Sequence, residues 1–318
     1  MTFKRGIRGS DFVRHVMGGR MDSRVVALKI DGVLSSLDES ITKSSAVDLV
    51  CWEDCMGKRV FWESSAYLLG VALKMLYPSA KLVEGRATSQ GFYYDVDFGE
   101  MSFDRGQLAE VEKRMLFLAK DKRVLKRLAW SREEVLGYFK VKGESYKLGV
   151  LEGLMWEKIF VYGLEGFVDV VKTPLVPHSR YVKVIRLLSV GGVYWRGDAN
   201  NKQICRIYGI SAPDRDFVKA YLNEVEEAKK RDHRTLGPSL GIFTFADSLG
   251  LGLPLFLPKG AFMREKLIEI LGGRMRKAGF QFITTPHIGH KKLYVTSGHY
   301  QKYSEPAGEI YVIMSTIK

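Results

Sequence analysis

The sequence predicts a multidomain α+β protein, and three observations support this fold class. The chain has 318 residues, which is more than one average domain, so two or three domains are expected. Hydrophobic residues make up 46% of it, which is ordinary for a protein with a packed core. Segments with the alternation of strands also occur beside segments with the periodicity of amphipathic helices. The elements follow in chain order.

Residues 1–56 are predicted to form a small α+β unit. Residues 25–37 (VVALKIDGVLSSL) indicate a strand, a tight turn at Asp31 and Gly32, and a second short strand. A third strand is predicted in residues 46–52. The following helix ends at Pro78, and its apolar side chains repeat at helical spacing: Trp62, Ala66, Leu69, Leu73 and Leu76.

The middle of the chain mixes strands and helices. Residues 91–98 alternate aromatic and acidic side chains, which predicts a half-buried strand, and residues 104–140 predict two amphipathic helices. The second of these helices begins at a capping box formed by Ser131 and Glu134. Short strands separated by Gly and Pro turns are predicted from residue 154 to residue 212.

A long polar helix, residues 217–234, is predicted to connect this region to the last one. A further helix is predicted over residues 261–278, closed by a glycine C-cap at Gly279. A strand over residues 281–285 then precedes Pro286. From the residue patterns alone, this helix and strand are interpreted as an ordinary helix–strand packing unit.

Charge and composition limit the classes of partner. Lys and Arg number 49 against 36 Asp and Glu, a net charge of +13. This excess suits RNA, and equally a basic surface that keeps the protein soluble. Three cysteines (Cys51, Cys55 and Cys205) are too few for a disulfide framework. No apolar run is long enough to span a membrane, so no membrane partner is expected.

Short motifs in a fixed order carry a family resemblance. They are residues 91–95 (GFYYD), 194–198 (YWRGD), 231–234 (RDHR), 252–261 (GLPLFLPKGA), 285–288 (TPHI) and 296–300 (TSGHY). Their order and spacing, over roughly residues 20–304, resemble threonyl-tRNA synthetases. The resemblance implies a ubiquitin-like TGS module of β-grasp fold (1–56), an editing domain (57–212), a linker helix (213–236) and the beginning of a class II catalytic core with an antiparallel sheet (237–318).

The resemblance also implies an activity, which is the ATP-dependent attachment of threonine to tRNA-Thr in the cytoplasm. His299 matches a histidine that the family implicates in passing threonine to the tRNA, although a lone histidine in a glycine loop is also typical of a surface. Gly279, Phe280 and Pro286 fall in motif 1, the family's homodimer interface.

The family's remaining catalytic machinery is expected beyond Lys318. This covers the two arginine motifs that bind ATP and the zinc ion held by one Cys and two His. Residues 309–313 are interpreted as a strand that leads to the zinc cysteine. The 318-residue chain alone is therefore expected not to form the threonyl adenylate.

The editing domain of this family hydrolyses mischarged seryl-tRNA, and its expected site residues are replaced here. Two histidines at i and i+4 of a helix are replaced by Glu63 and Tyr67, and a loop Cys and His are replaced by Val171 and Leu175. Valine and leucine cannot ligate a metal, donate a proton or polarise water. A degenerate, inactive editing site is therefore predicted.

Three other residues near this site have open interpretations. Lys147 and Asp169 match polar positions of the editing pocket, or are a surface lysine and a turn aspartate. His178 lies three residues beyond the expected histidine position and is interpreted as a surface residue.

Three functions compete on the sequence. The first is a portion of a eukaryote-type cytosolic threonine–tRNA ligase with an inactive editing site. The second is a non-catalytic tRNA-binding or regulatory protein built on the same scaffold. The third, a deacylase acting in trans, needs the four residues that are replaced.

Overall fold

The computed structural model of the chain describes residues 6–155, 160–250, 252–286 and 289–300. The chain divides into two compact units, Met1–Glu227 and Ala228–Lys318. Within the described residues helices and antiparallel sheets are mixed, so the predicted α+β class is confirmed at this level. No helix in this part of the chain is long and apolar enough to cross a membrane.

The first unit begins with a small α+β region. Its elements are β1 (Ile7–Arg8), α1 (Gly9–Val16), β2 (Val25–Ile30), β3 (Val33–Ser35), β4 (Ser40–Ile41) and β5 (Val47–Cys51). Strand β2 lies between β3 and β5, and β1 pairs with β4. The predicted turn is confirmed, because Asp31 and Gly32 join β2 to β3 with φ of 49° and 82°. Two positive φ values are what a type I′ hairpin turn requires.

Helix α2 (Cys55–Leu76) is the central element of the first unit. A four-stranded sheet packs against it, in the order β11-β12-β7-β6. These strands are β6 (Lys81–Ala87), β7 (Phe92–Asp97), β11 (Val184–Tyr194) and β12 (Gln203–Ala212). The indole nitrogen of Trp62 donates to the Ser211 carbonyl at 3.0 Å, and the hydroxyls of Ser65 and Ser211 lie 2.7 Å apart. The helix is therefore tied to the sheet by buried polar contacts as well as by apolar packing.

The rest of the unit contains a three-stranded sheet and three helices. The strands of the sheet are β8 (Lys126–Leu128), β9 (Phe160–Leu164) and β10 (Phe167–Val171), with β9 in the middle. The helices are α3 (Leu108–Lys120), α4 (Arg132–Val141) and α5 (Ser145–Glu152). Of these elements, β10 and α3 contact α2, whereas α4 and α5 belong to a separate hydrophobic cluster. The capping box at α4 is confirmed, since the Ser131 and Glu134 side chains each accept from the other's backbone N–H. The prediction of short strands is wrong for β11 and β12, which have 11 and 10 residues.

The predicted connector helix is interrupted. Helix α6 (Arg215–Lys230) ends before Asp232, and a separate helix α7 (His233–Ser239) begins after it. The Asp232 side chain accepts from the Arg234 backbone N–H at 2.8 Å, which caps α7. Aspartate favours this position because it satisfies an amide that has no partner inside the helix.

The second unit contains α7, a short pair formed by β13 (Phe243–Thr244) and β14 (Leu255–Phe256), then α8 (Pro258–Lys277) and α9 (Lys291–Thr296). Helix α8 ends as predicted, with Gly279 at φ 86°. The prediction of a strand over residues 281–285 is wrong, because they form no strand and pair with no described residue. A strand needs a hydrogen-bonded neighbour. Residues 309–313 lie outside the described residues.

Candidate site in the core of the first unit

Helix α2 presents Glu63 and Tyr67 one turn apart, as their i, i+4 spacing predicts. Both side chains are enclosed, with 2% of Glu63 and 1% of Tyr67 exposed. Both side chains are buried because the sheets and α3 cover most of the surface of α2.

Glu63 is a buried carboxyl group with few partners. Its Oε1 atom accepts from the Ala87 backbone N–H at 3.4 Å, and its Oε2 atom has no hydrogen-bond partner among the described residues. Burial raises the pKa of Glu63, and the positive charge of Arg86 opposes part of that rise. An enclosed carboxyl with a raised pKa favours its neutral form.

Tyr67 packs its aromatic ring against two other rings. The ring centroid lies 5.6 Å from that of Phe167 and 6.2 Å from that of Tyr162. Its hydroxyl donates to the Phe167 carbonyl at 3.5 Å. Burial raises the pKa of Tyr67 well above its ordinary value, so the phenol stays protonated. Tyr67 is therefore a core side chain.

The second segment of the predicted site lies against the same helix. Val171 ends β10 and Leu175 follows in the adjoining loop, and they are 3% and 1% exposed. The loop is fixed by two hydrogen bonds: the Leu175 N–H donates to the Tyr162 hydroxyl, and the Val176 N–H donates to Ser64 Oγ on α2, both at 3.0 Å. Tyr67, Val171 and Leu175 belong to one hydrophobic cluster. The structure thus brings the two predicted segments together.

Lys147 and Asp169 form a buried ion pair. Their side chains are 5% and 2% exposed, and the Lys147 ammonium contacts Asp169 Oδ1 directly. The Tyr94 hydroxyl donates to Asp169 Oδ2 at 2.5 Å and lies 2.9 Å from the Lys147 ammonium. Interpretation as a surface lysine and a turn aspartate is therefore wrong, since Lys147 is on α5 and Asp169 on β10.

Tyr94 and Arg86 were not identified as site residues from sequence. Tyr94 belongs to the aromatic and acidic strand β7, and its alternation places it on the face opposite Asp95. Its partners Lys147 and Asp169 lie 53 and 75 positions further along the chain, so no local sequence pattern indicates the contact. His178 is half-buried, not a surface residue, and its Nδ1 atom has no partner among the described residues.

A cavity of about 680 Å³ opens beside Lys172, which follows Val171. Its floor carries two ion pairs, Arg86 with Glu84 and Arg206 with Asp95. One wall is the turn of Trp195 and Arg196 (YWRGD). Arg196 has φ of 58° and donates to the carbonyl of Gly149, inside α5, at 2.8 Å. The cavity has polar walls, but none of the four replaced positions lines it.

The arrangement offers little hydrolytic chemistry at the replaced positions. Val171 and Leu175 contribute only hydrocarbon, Tyr67 holds its proton, and Glu63 is enclosed. Within the described ranges, no group of three or more His, Cys, Asp or Glu side chains could hold a metal ion. The residues described therefore do not fit a zinc site.

The second unit contains the other predicted residues. His299 is exposed, and its Nδ1 atom lies 2.9 Å from Ser297 Oγ. Phe280 and Pro286 are also exposed, after Gly279 at the end of α8. The apolar side chains of α8 are largely exposed as well: Phe262, Leu267, Ile270 and Leu271.

Comparison with curated proteins finds relatives along most of the chain. Over 95% of its length the chain is similar to tRNA ligases. No protein-family model matches the chain.

The relatives are threonine–tRNA ligases. The chain is 44% identical over 303 residues to that of Cytophaga hutchinsonii, and the match covers 95% of this chain and 47% of the relative. The identity is 42% over 304 residues with the ligase of Porphyromonas gingivalis and 36% over 301 residues with that of Flavobacterium psychrophilum, each covering 95% of this chain and 46% of the relative. The chain thus spans about half the length of the curated relatives it matches. These relatives are bacterial, so the expectation of a eukaryote-type enzyme has no support here.

Proposed function

We propose that this chain is part of a threonine–tRNA ligase whose editing site no longer hydrolyses seryl-tRNA. The observation that carries the proposal is the packing of Tyr67, Val171 and Leu175 into one hydrophobic cluster, with Glu63 enclosed beside it. Homology to threonine–tRNA ligases over 95% of the chain supports the ligase assignment.

The proposed domains follow the sequence boundaries. A TGS-like module covers 1–56, an editing domain 57–212, a linker helix 213–236 and the start of a class II catalytic core 237–318. The hairpin of β2 and β3, and the enclosure of α2 by sheets, are compatible with the first two assignments. His299 is proposed as a catalytic residue of the ligase reaction.

The proposed partners are those of the whole ligase: tRNA-Thr, threonine, ATP and a zinc ion. No reaction step is assigned to zinc, because the described residues do not provide its ligands. Homodimerisation through Gly279, Phe280 and Pro286 is supported by the exposed apolar side of α8. Cytoplasmic location is part of the same proposal.

Rebuilding the site tests the proposal. The variant Glu63→His/Tyr67→His/Val171→Cys/Leu175→His restores the four residue types that the family uses. It is incubated with seryl-tRNA-Thr, and serine release is compared with the original chain and with buffer. We expect release above the buffer rate only from the variant.

A matched control separates chemistry from loosened packing. The variant Glu63→Gln/Tyr67→Phe/Val171→Ala/Leu175→Ala perturbs the same positions without adding a nucleophile or base. If the original chain and this control both release serine as fast as the rebuilt variant, the four positions do not govern hydrolysis and the proposal is wrong.

A second candidate is a non-catalytic protein that binds tRNA, favoured by the net charge of +13. It predicts salt-sensitive binding of tRNA by the 318-residue chain without threonine-dependent exchange of pyrophosphate into ATP. Absence of tRNA binding at low salt contradicts this candidate, and exchange activity by the chain favours the ligase.

A further inference from the structure

A small basic recess lies outside the candidate site, where α3 ends against the turn at residues 179–183. Its volume is about 200 Å³, and it is lined by Leu116, Ala119, Lys120, Arg180, Val182 and Lys183. We propose that this recess, termed the cationic notch, binds a backbone phosphate of RNA. The inference rests on the proposed function, which supplies an RNA partner, and assigns a surface that contacts it.

Buried hydrogen bonds fix the two sides of the notch relative to each other. Ser179 is fully buried, and its hydroxyl donates to the Leu118 carbonyl on α3 at 2.6 Å. The same hydroxyl accepts from the Arg123 N–H at 2.9 Å, and the Ser179 N–H donates to the Arg123 carbonyl at 2.8 Å. Lys120 and Arg180 therefore project from a rigid frame, which lowers the entropy lost when an anion binds.

The charge of the notch is unbalanced. Lys120, Arg180 and Lys183 are exposed, none forms an ion pair with a described residue, and no carboxylate lines the recess. Three carboxylates on neighbouring segments are already paired: Asp121 and Glu165 with Arg123, and Glu112 with Arg186.

The pKa of His178 is affected by the positive charges in this region. Burial lowers the pKa of His178, and the charges of Lys122 and Arg180 lower it further. A positive field that opposes protonation of a neighbouring imidazole attracts an anion to the same place.

The side chains in and near the notch favour RNA over other anions. Arginine presents a planar fork of donors that matches phosphate oxygens, and lysine adds point charges. Phe117 lies one turn before Lys120 on α3, and 52% of its surface is exposed. An exposed aromatic ring beside cations can stack with an RNA base, which a simple polyanion lacks.

The test measures binding of the intact 318-residue chain to a fluorescent tRNA transcript over a range of salt concentrations. We expect Lys120→Gln/Arg180→Gln/Lys183→Gln to bind about tenfold or more weakly at about 100 mM salt, with a log–log salt slope smaller by roughly 1, as for one phosphate contact. Phe117→Ala is expected to weaken binding severalfold with an unchanged slope.

The charge-matched control is Lys81→Gln/Lys140→Gln/Lys219→Gln. It also removes three exposed positive charges, but on β6, α4 and α6, outside the notch. Its affinity and slope are expected to stay closer to those of the original chain. The proposal is overturned if both triple variants weaken RNA binding equally, or if the original chain does not bind RNA. Polyglutamate is the last probe, because competition by it as strong as that by RNA shows a general anion surface and overturns the phosphate assignment.

These outcomes are independent of the editing proposal. The notch is overturned by equal effects of the two triple variants on RNA binding, whatever the rate of serine release, whereas the editing proposal is overturned by serine release from the original chain, whatever the notch variants do. If a triple variant unfolds, Arg180→Gln is tested alone, with its melting temperature measured, and is expected to weaken RNA binding less than the triple variant and to reduce the salt slope by less than about 1.

Discussion

Removing the carboxylate of Asp169 is expected to destabilise the first unit strongly. Asp169→Ala leaves the Lys147 ammonium buried, with the Tyr94 hydroxyl at 2.9 Å as its one remaining hydrogen-bond partner among the described residues. It also removes the acceptor of the Tyr94 hydroxyl and of the Val170 N–H, at 2.5 and 2.7 Å. An uncompensated buried charge is the dominant penalty.

The magnitude follows from this burial. Breaking a buried ion pair by removing one partner costs about 3–5 kcal/mol, against about 0–1 kcal/mol for an exposed pair. Each kcal/mol lowers the melting temperature by about 2–4 °C for a unit of this size. The expected loss of unfolding free energy is therefore large enough to show whether water reaches the Lys147–Asp169 pair.

Urea unfolding, with the midpoint and the slope fitted separately, measures the effect. The matched variant is Lys147→Met/Tyr94→Phe/Asp169→Leu, which replaces the whole polar cluster by apolar side chains. We expect it to lie within about 2 kcal/mol of the original chain, because a well-packed apolar replacement avoids the desolvation penalty. A loss below about 1 kcal/mol for Asp169→Ala would refute the reasoning, since it means that water reaches Lys147.

Three further changes test other parts of the structure. Because the pKa of Glu63 is raised above its usual 4.5, the stability it contributes is complete below about pH 4.5 and is lost as pH rises through the raised value. Urea unfolding from pH 4 to 8 should thus show Glu63→Gln gaining stability relative to the original chain as pH rises, and a flat difference contradicts this. Ser131→Ala removes the capping box shared with Glu134 and should cost about 1 kcal/mol in thermal unfolding, whereas no change means that solvent caps α4 equally well. Gly57→Ala should cost at least about 2 kcal/mol by urea unfolding, because its Cβ atom would lie 1.7 Å from the Cys51 carbonyl oxygen, and a neutral result means that the backbone moves easily.

Local signals predicted the elements whose cause is local. The turn at Asp31 and Gly32 and the capping box at Ser131 depend on side chains within a few residues of one another. The i, i+4 spacing also placed Glu63 and Tyr67 on one side of α2. These features were confirmed because the competing interactions are few.

Long-range pairing could not be predicted in the same way. Lys147 and Asp169 are on different elements, and their burial depends on Tyr94 and on the loop at Val171. The sequence left both open as surface residues, because a single polar residue carries no sign of what will cover it. The strand predicted over residues 281–285 failed for the converse reason, since a local pattern cannot supply a pairing neighbour.

Serine release from seryl-tRNA-Thr by the unmodified chain tests the central claim most directly. The chain is added in excess over labelled seryl-tRNA, so that one slow turnover is detectable. If Glu63, Tyr67, Val171 and Leu175 have lost the editing chemistry, the release rate equals that in buffer. Release well above the buffer rate, abolished by unfolding the chain, would show that hydrolysis survives these replacements and would contradict the account.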